Sequence, residues 1–175
     1  AGGAGLVIVE ATGVTSFGSE LTVESLSPLT AAVHEQGAAI AIQLFPIPFG
    51  TAVDLNSMPV DQIEAIIEQY AVAAEICRDA GFDGVESHGA HGYLINQFFM
   101  PDVNKRTDEF GGSLENRCRL GTRIVERSKA ATGDDLLILY RHTPVGAAYG
   151  IEESLELARR LIDAGLGVLD ISPAF

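Results

Sequence analysis

The chain has few basic residues for its length. Eleven Lys and Arg stand against 24 Asp and Glu among 175 residues, which gives a net charge of −13. An excess of negative charge opposes binding to a phosphate backbone or an anionic bilayer. The basic residues at 105–106 and 117–127 are interleaved with acids, so we expect them to form solvated surface. We predict no nucleic-acid partner and no membrane partner.

Cysteines and long apolar runs are also scarce. Cys77 and Cys118 lie far apart in helix-like stretches, which suits reduced thiols better than a disulfide scaffold. No apolar run approaches the ~20 residues needed to span a bilayer. The first residues lack the charged start and small-residue cleavage site of a signal peptide. These absences predict a cytoplasmic protein.

A glycine-rich G-x-G-x-x-G segment after the first apolar run, residues 6–9, is missing too, and this argues against a dinucleotide-binding fold. What the chain does contain is one pattern repeated four times: an amphipathic run, a glycine that can end a helix, and a short apolar run. The predicted helices are 26–36, 61–80, 114–132 and 152–164, and the strands that follow them are 38–44, 83–87, 136–140 and 168–171.

The strands are nearly continuous in Val, Ile, Leu and Ala, which is typical of a parallel sheet covered on both faces. Such a sheet is either open and doubly wound or closed into a barrel, and the missing glycine segment favours the barrel. The pattern predicts an α/β fold of the (β/α)8 TIM barrel class. Because only five strands and four helices are counted, we expect one incomplete barrel domain over residues 1–175, holding about strands 2 to 6.

Polar residues follow the predicted strands, where barrel enzymes carry their reacting groups. His88, His91 and Tyr93 come just past the third strand. Neutral imidazole N–H groups could stabilise the negative charge that grows on a carbonyl oxygen, and the phenol could donate a proton. A His-x-x-His pair also occurs in metal sites, but no further ligand is placed to complete a zinc site, so we predict none. Alternatively, the imidazoles could satisfy backbone groups of the loop.

The stretch from residue 83 to 120 reads DGVESHGAHGYLINQFFMPDVNKRTDEFGGSLENRCRL and resembles the old yellow enzyme family. The resemblance implies bound FMN, with NAD(P)H as electron donor, and reduction of activated C=C bonds in α,β-unsaturated carbonyl compounds or thioesters. It also implies that His88 and His91 bind the substrate carbonyl, that Tyr93 is the proton donor, and that Ala11, Gln43 and Arg141 contact the flavin. The expected partner is a small enone-type molecule, with homo-oligomers possible.

The sequence departs from this family at two places. Residues 45–50 read FPIPFG where the family usually has a His-x-Gly-Arg type segment, so we expect a different pocket rim there. No glycine-rich cradle at a helix N-terminus is found for the FMN phosphate. The alternative reading is therefore a truncated or degenerate copy without catalysis.

Overall fold

Five strands form one sheet in the computed structural model, which describes residues 2–47 and 51–173. The spatial order is β1-β2-β3-β4-β5, and every neighbouring pair is parallel. The strands are β1 (Leu6–Gly13), β2 (Ala39–Phe45), β3 (Gly84–Gly89), β4 (Leu137–His142) and β5 (Val168–Ile171). Because each connection moves one strand in the same direction, right-handed crossovers place the connecting helices on one side of the sheet.

The four predicted helices are present, with ends shifted by a few residues. They are α1 (Val23–His34), α2 (Val60–Asp79), α4 (Leu114–Thr132) and α5 (Ile151–Asp163), and a short α3 (Leu94–Phe99) was not predicted. The predicted glycine stops are borne out, for example at Gly81 and Gly165, where φ is 89° and 104°. The Ser113 hydroxyl caps α4 by accepting from the Asn116 N–H.

The core lies between the sheet and the helices. Ile42 and Val85 from the strands pack with Ile63 and Tyr70 of α2 and Ile124 of α4, all of them fully or almost fully buried. The expectation that every strand is covered on both faces is wrong for β1 and β5. Their apolar side chains are 38 to 49% exposed at Leu6, Val7, Ile8, Val168 and Ile171.

The reading of the basic residues as solvated surface is wrong for Arg106 and Arg117, each of which is 7% exposed. Arg106 donates to the carbonyl oxygens of Leu55 and Met58 and pairs with Asp108. Arg117 donates to the Phe99 carbonyl and pairs with Glu153. Both guanidinium groups therefore satisfy backbone carbonyl groups, in a loop for Arg106 and at the end of α3 for Arg117, a role that the alternation of charges along the sequence does not indicate.

Within the described residues, no helix is long and apolar enough to cross a membrane.

Candidate functional site

The site is built where β2 to β5 end. Gln43 of β2 is the register partner of Glu86 on β3, and His88 of β3 is opposite Arg141 on β4, which is in turn opposite Asp170 on β5. Paired residues in a parallel sheet share a face, and Glu86 and His88 are two apart on one strand. All five side chains therefore lie on the face of the sheet away from the helices.

Beyond β3 the chain turns sharply. His91 adopts a left-handed conformation with φ of 58°, which is unusual for a residue other than glycine, and Gly92 follows with φ of 74°. The His91 backbone N–H donates to the Thr143 hydroxyl at 2.9 Å, which fixes the turn to the segment after β4. Tyr93 is the N-cap residue of α3. The turn thus carries His91 and Tyr93 back toward the end of β3.

His88, His91 and Tyr93 form one aromatic cluster with Phe45 at the end of β2. The His88 ring centroid lies 5.3 Å from that of His91, 5.3 Å from that of Tyr93 and 5.5 Å from that of Phe45. Phe45 packs edge-on against Tyr93 at 5.1 Å. His88 is buried at 4% exposure, whereas Tyr93 is 39% exposed. The cluster is therefore buried at His88 and accessible to solvent at Tyr93.

Burial lowers the pKa of His88 to about 4, with the charges of His91 and Arg141 adding to the shift. At neutral pH this imidazole is uncharged and carries one N–H. Its Nδ1 atom is buried and has no hydrogen-bond partner among the described residues. A neutral imidazole ring with an unused hydrogen-bonding atom is suited to bind an oxygen atom of a ligand.

Arg141 is joined to the loop of His91 through Ser172. One terminal guanidinium nitrogen of Arg141 donates to the Ser172 hydroxyl at 3.0 Å, and His91 Nε2 lies 2.7 Å from the same oxygen. Arg141 Nε is 3.3 Å from a carboxylate oxygen of Asp170. Arg141 therefore forms an ion pair with the neighbouring strand, and the same side chain also faces the site.

Ala11 lies apart from the other predicted residues, at an irregularity of β1. The register runs from Val9 opposite Ile42 to Thr12 opposite Leu44, so β1 contains one extra residue over this step. This β-bulge places Ala11, which is half-buried, next to the end of β2.

A cavity of about 390 Å³ opens beside Tyr93, with Phe45, Ile47, Val53 and Leu94 among its lining residues. The lining is mixed, because Thr51, Tyr93 and Gln97 stand beside the apolar residues. Residues 48–50 of the predicted altered rim lie outside the described residues. Across residues 2–47 and 51–173, no group of three or more His, Cys, Asp or Glu side chains could hold a metal ion.

The sequence analysis missed three members of this site. Ser172 and Thr143 both contact His91, through its ring and its backbone N–H respectively. They are also joined to each other, because the Thr143 hydroxyl donates to the Ser172 carbonyl at 3.0 Å. Glu86 is fully buried and accepts a hydrogen bond from Gln43. A charged residue within an otherwise apolar strand was the available signal for Glu86. For the hydroxyls there was only their place at strand ends.

One end of the parallel sheet thus gathers a neutral histidine, a tyrosine, a glutamine and an arginine. The chain matches the model of the NADH:flavin oxidoreductase / NADH oxidase family over residues 49–164, and it belongs to that family. The family uses FMN with NAD(P)H as reductant. The predicted resemblance to the old yellow enzymes is confirmed, as is the predicted barrel class.

Relatives and solved structures agree with this assignment. The chain is 35% identical to an NADPH dehydrogenase of Halalkalibacterium halodurans over 98% of its length and 59% of that protein. It is 40% identical to an NADPH dehydrogenase of Clostridium acetobutylicum, over 80% of the chain and 50% of the relative. The old yellow enzyme homologue of Zymomonas mobilis superposes with a TM-score of 0.81 at 30% identity, over 96% of this chain and 60% of that structure. The chain thus spans about half the length of the curated relatives it matches.

Proposed function

We propose that this chain carries the substrate-facing side of an FMN-dependent ene-reductase, which reduces activated C=C bonds of α,β-unsaturated carbonyl compounds or thioesters. The observation that carries the proposal is the aromatic cluster, in which a buried, neutral His88 lies against His91 and Tyr93. A group of N–H and O–H donors at a strand end suits charge developing on one oxygen. The small-molecule partner and the cytoplasmic location remain predictions.

The residues at this end suit a flavin. Glu86 Oε1 and His88 Nδ1 are buried atoms without a hydrogen-bond partner among the described residues, whereas Arg141 Nε has Asp170 at 3.3 Å. Arg141 would hold the ring's electron-rich reduced form by its permanent charge, and the Gln43 amide would bind the pyrimidine edge, with Ala11 beside it. When bound, FMN supplies the hydride for the β-carbon of the substrate.

The chain's own groups would manage charge and protons. His88 and His91 donate N–H groups to the carbonyl oxygen of the substrate and stabilise its growing negative charge. Ser172 accepts from Arg141 and can donate its own hydrogen to His91 Nε2, which leaves the proton of that imidazole on Nδ1. The Tyr93 hydroxyl donates a proton to the α-carbon. The cavity beside Tyr93 would hold the substituent of the alkene.

Tyr93→Phe tests the proposal. In stopped-flow measurements on the FMN-loaded protein, the variant should keep its rate of flavin reduction by NAD(P)H. Its rate of enone reduction should fall roughly 10²- to 10⁴-fold, as for the loss of a general acid. Phe45→Leu is the matched control, because it removes a neighbouring ring but no proton. Equal slowing of both half-reactions by Tyr93→Phe would refute the assigned role, and a protein without either half-reaction would favour the non-catalytic alternative.

A further inference from the structure

Glu86 is a buried carboxyl group that the proposed chemistry does not use. It is fully shielded from solvent in the middle of β3, and it has no ion-pair partner among residues 2–47 and 51–173. Burial raises its pKa, and the charge of Asp170 adds to the rise, while the Gln43 hydrogen bond and Arg141 oppose it. Removing a carboxyl group from water is costly unless hydrogen bonds or an opposite charge compensate for the lost hydration.

Among the described residues, the side chain of Glu86 has a single hydrogen bond, which it accepts from Gln43. Gln43 Nε2 donates to Glu86 Oε2, and the two residues are register partners on β2 and β3. The other oxygen, Oε1, is buried and has no partner among the described residues. Both side chains therefore lie on the face of the sheet away from the helices, and the pairing of the two strands holds them next to each other.

The ionised form of Glu86, which Arg141 and the Gln43 N–H favour against the effect of burial, accepts hydrogen bonds and cannot donate them, so it selects the nitrogen end of the neighbouring amide. An amide without such a partner has two orientations of similar shape, one with the oxygen and one with the nitrogen facing a given neighbour. Next to Glu86 the nitrogen end of Gln43 must face the carboxylate. The amide oxygen Oε1 and the second N–H of Nε2 are then left for a ligand.

We propose that Glu86 is a positioning residue which fixes the Gln43 amide in the one orientation that fits the pyrimidine edge of FMN. This inference rests on the proposed function. The pyrimidine edge presents a ring N–H between two carbonyl oxygens, so it needs an acceptor and a donor from the amide. A turned amide would set its N–H against the ring N–H and lose that hydrogen bond.

The pairing itself is tested by NMR of side-chain amides, without FMN. In the unaltered protein one Gln43 Nε2 proton should be displaced downfield and exchange slowly, because it is bonded to a buried carboxylate. Glu86→Met, which replaces the carboxyl group by an apolar side chain of similar length, should abolish the displacement. Gln97 is the matched control in both proteins, since its Nε2 donates to the Gly92 carbonyl at 2.7 Å and should not change. An unchanged Gln43 resonance in Glu86→Met would overturn the pairing.

The second arm is FMN titration followed by flavin fluorescence. Glu86→Met should weaken FMN binding about tenfold. Without the carboxyl group, the Gln43 orientation that fits FMN leaves one buried N–H without a partner. Glu86→Gln, which leaves both amide orientations equally populated, should weaken it only about twofold. Retention of the thermal melting temperature by Glu86→Met separates this effect from unfolding.

The outcomes distinguish the two proposals. If Gln43→Ala weakens FMN binding and Glu86→Met does not, Glu86 does not position the amide, while the flavin site stands. If neither variant changes the affinity, the flavin contact of Gln43 is wrong and this inference fails with it. An unaltered protein that binds no FMN at millimolar concentration would overturn both.

Discussion

The chain should lose stability in weak acid because of its buried imidazoles, and His142 allows the effect to be isolated. His142 is 1% exposed, its Nε2 lies 2.8 Å from the Ser154 hydroxyl, and its ring packs against Phe99 and Tyr149. Burial lowers its pKa from 6.5 to about 4. Between these two values the unfolded chain takes up a proton that the folded chain refuses, so stability falls as pH falls.

The magnitude follows from the size of the shift. Full titration over the interval from 6.5 to about 4 is equivalent to roughly 3 kcal/mol of unfolding free energy. Between pH 7 and pH 5 the part lost is about 2 kcal/mol for His142, and a similar loss comes from His88. The loss starts near the unfolded value and is complete just below pH 4.

Urea unfolding followed by circular dichroism at pH 7, 6 and 5 measures this effect. His142→Gln, whose amide can still donate to Ser154, should lose about 2 kcal/mol less than the unaltered protein between pH 7 and pH 5. Tyr149→Phe is the control: it removes a hydroxyl next to the same ring, does not titrate in this range, and should keep the full pH dependence. The same pH dependence in His142→Gln and in the unaltered protein would show that burial does not hold this imidazole neutral.

Two further predictions concern buried groups away from the site. Arg106→Met should lower the free energy of unfolding by about 3 kcal/mol, because it leaves two buried carbonyl groups unsatisfied. The control Arg159→Met, at an exposed ion pair, should lower it by less than about 0.5 kcal/mol. Equal losses in urea unfolding would contradict the burial of Arg106. Neither Cys77 nor Cys118 should react with a thiol reagent until the chain unfolds, because burial raises both thiol pKa values, that of Cys118 to about 12; a thiol titrated in native buffer would show that one of them is accessible.

Much of the fold could be predicted because local signals and tertiary structure agree. The apolar runs became β1 to β5, and the glycines after the amphipathic runs end helices as expected. The strands nevertheless continue past their apolar part, so that His88 and Arg141 lie inside β3 and β4 rather than after them. The end of a strand depends on where its pairing with the neighbouring strand stops, and the residues of one strand do not show where that is.

The aromatic cluster could be predicted as a group because its members are close in sequence and follow one strand. The roles of its residues remain predictions. Partners from distant elements, such as Ser172 on His91 and Glu86 on Gln43, depend on register between strands and could not be read from spacing. The burial of the arginines could not be predicted either, because Arg106 binds carbonyl groups about 50 residues away in the chain.

The crowded end of β3 has a consequence for how this chain can vary. A Cβ atom on Gly89 would lie 2.1 Å from the Tyr140 hydroxyl oxygen, and one on Gly121 of α4 would lie 2.9 Å from it. Tyr140 is 1% exposed and cannot move aside. Positions 89, 121 and 140 therefore share one fixed volume, and homologous chains should exchange residues at the three positions jointly. A side chain gained at position 89 should be accompanied by the loss of the tyrosine ring at position 140, even though 50 residues separate them in sequence.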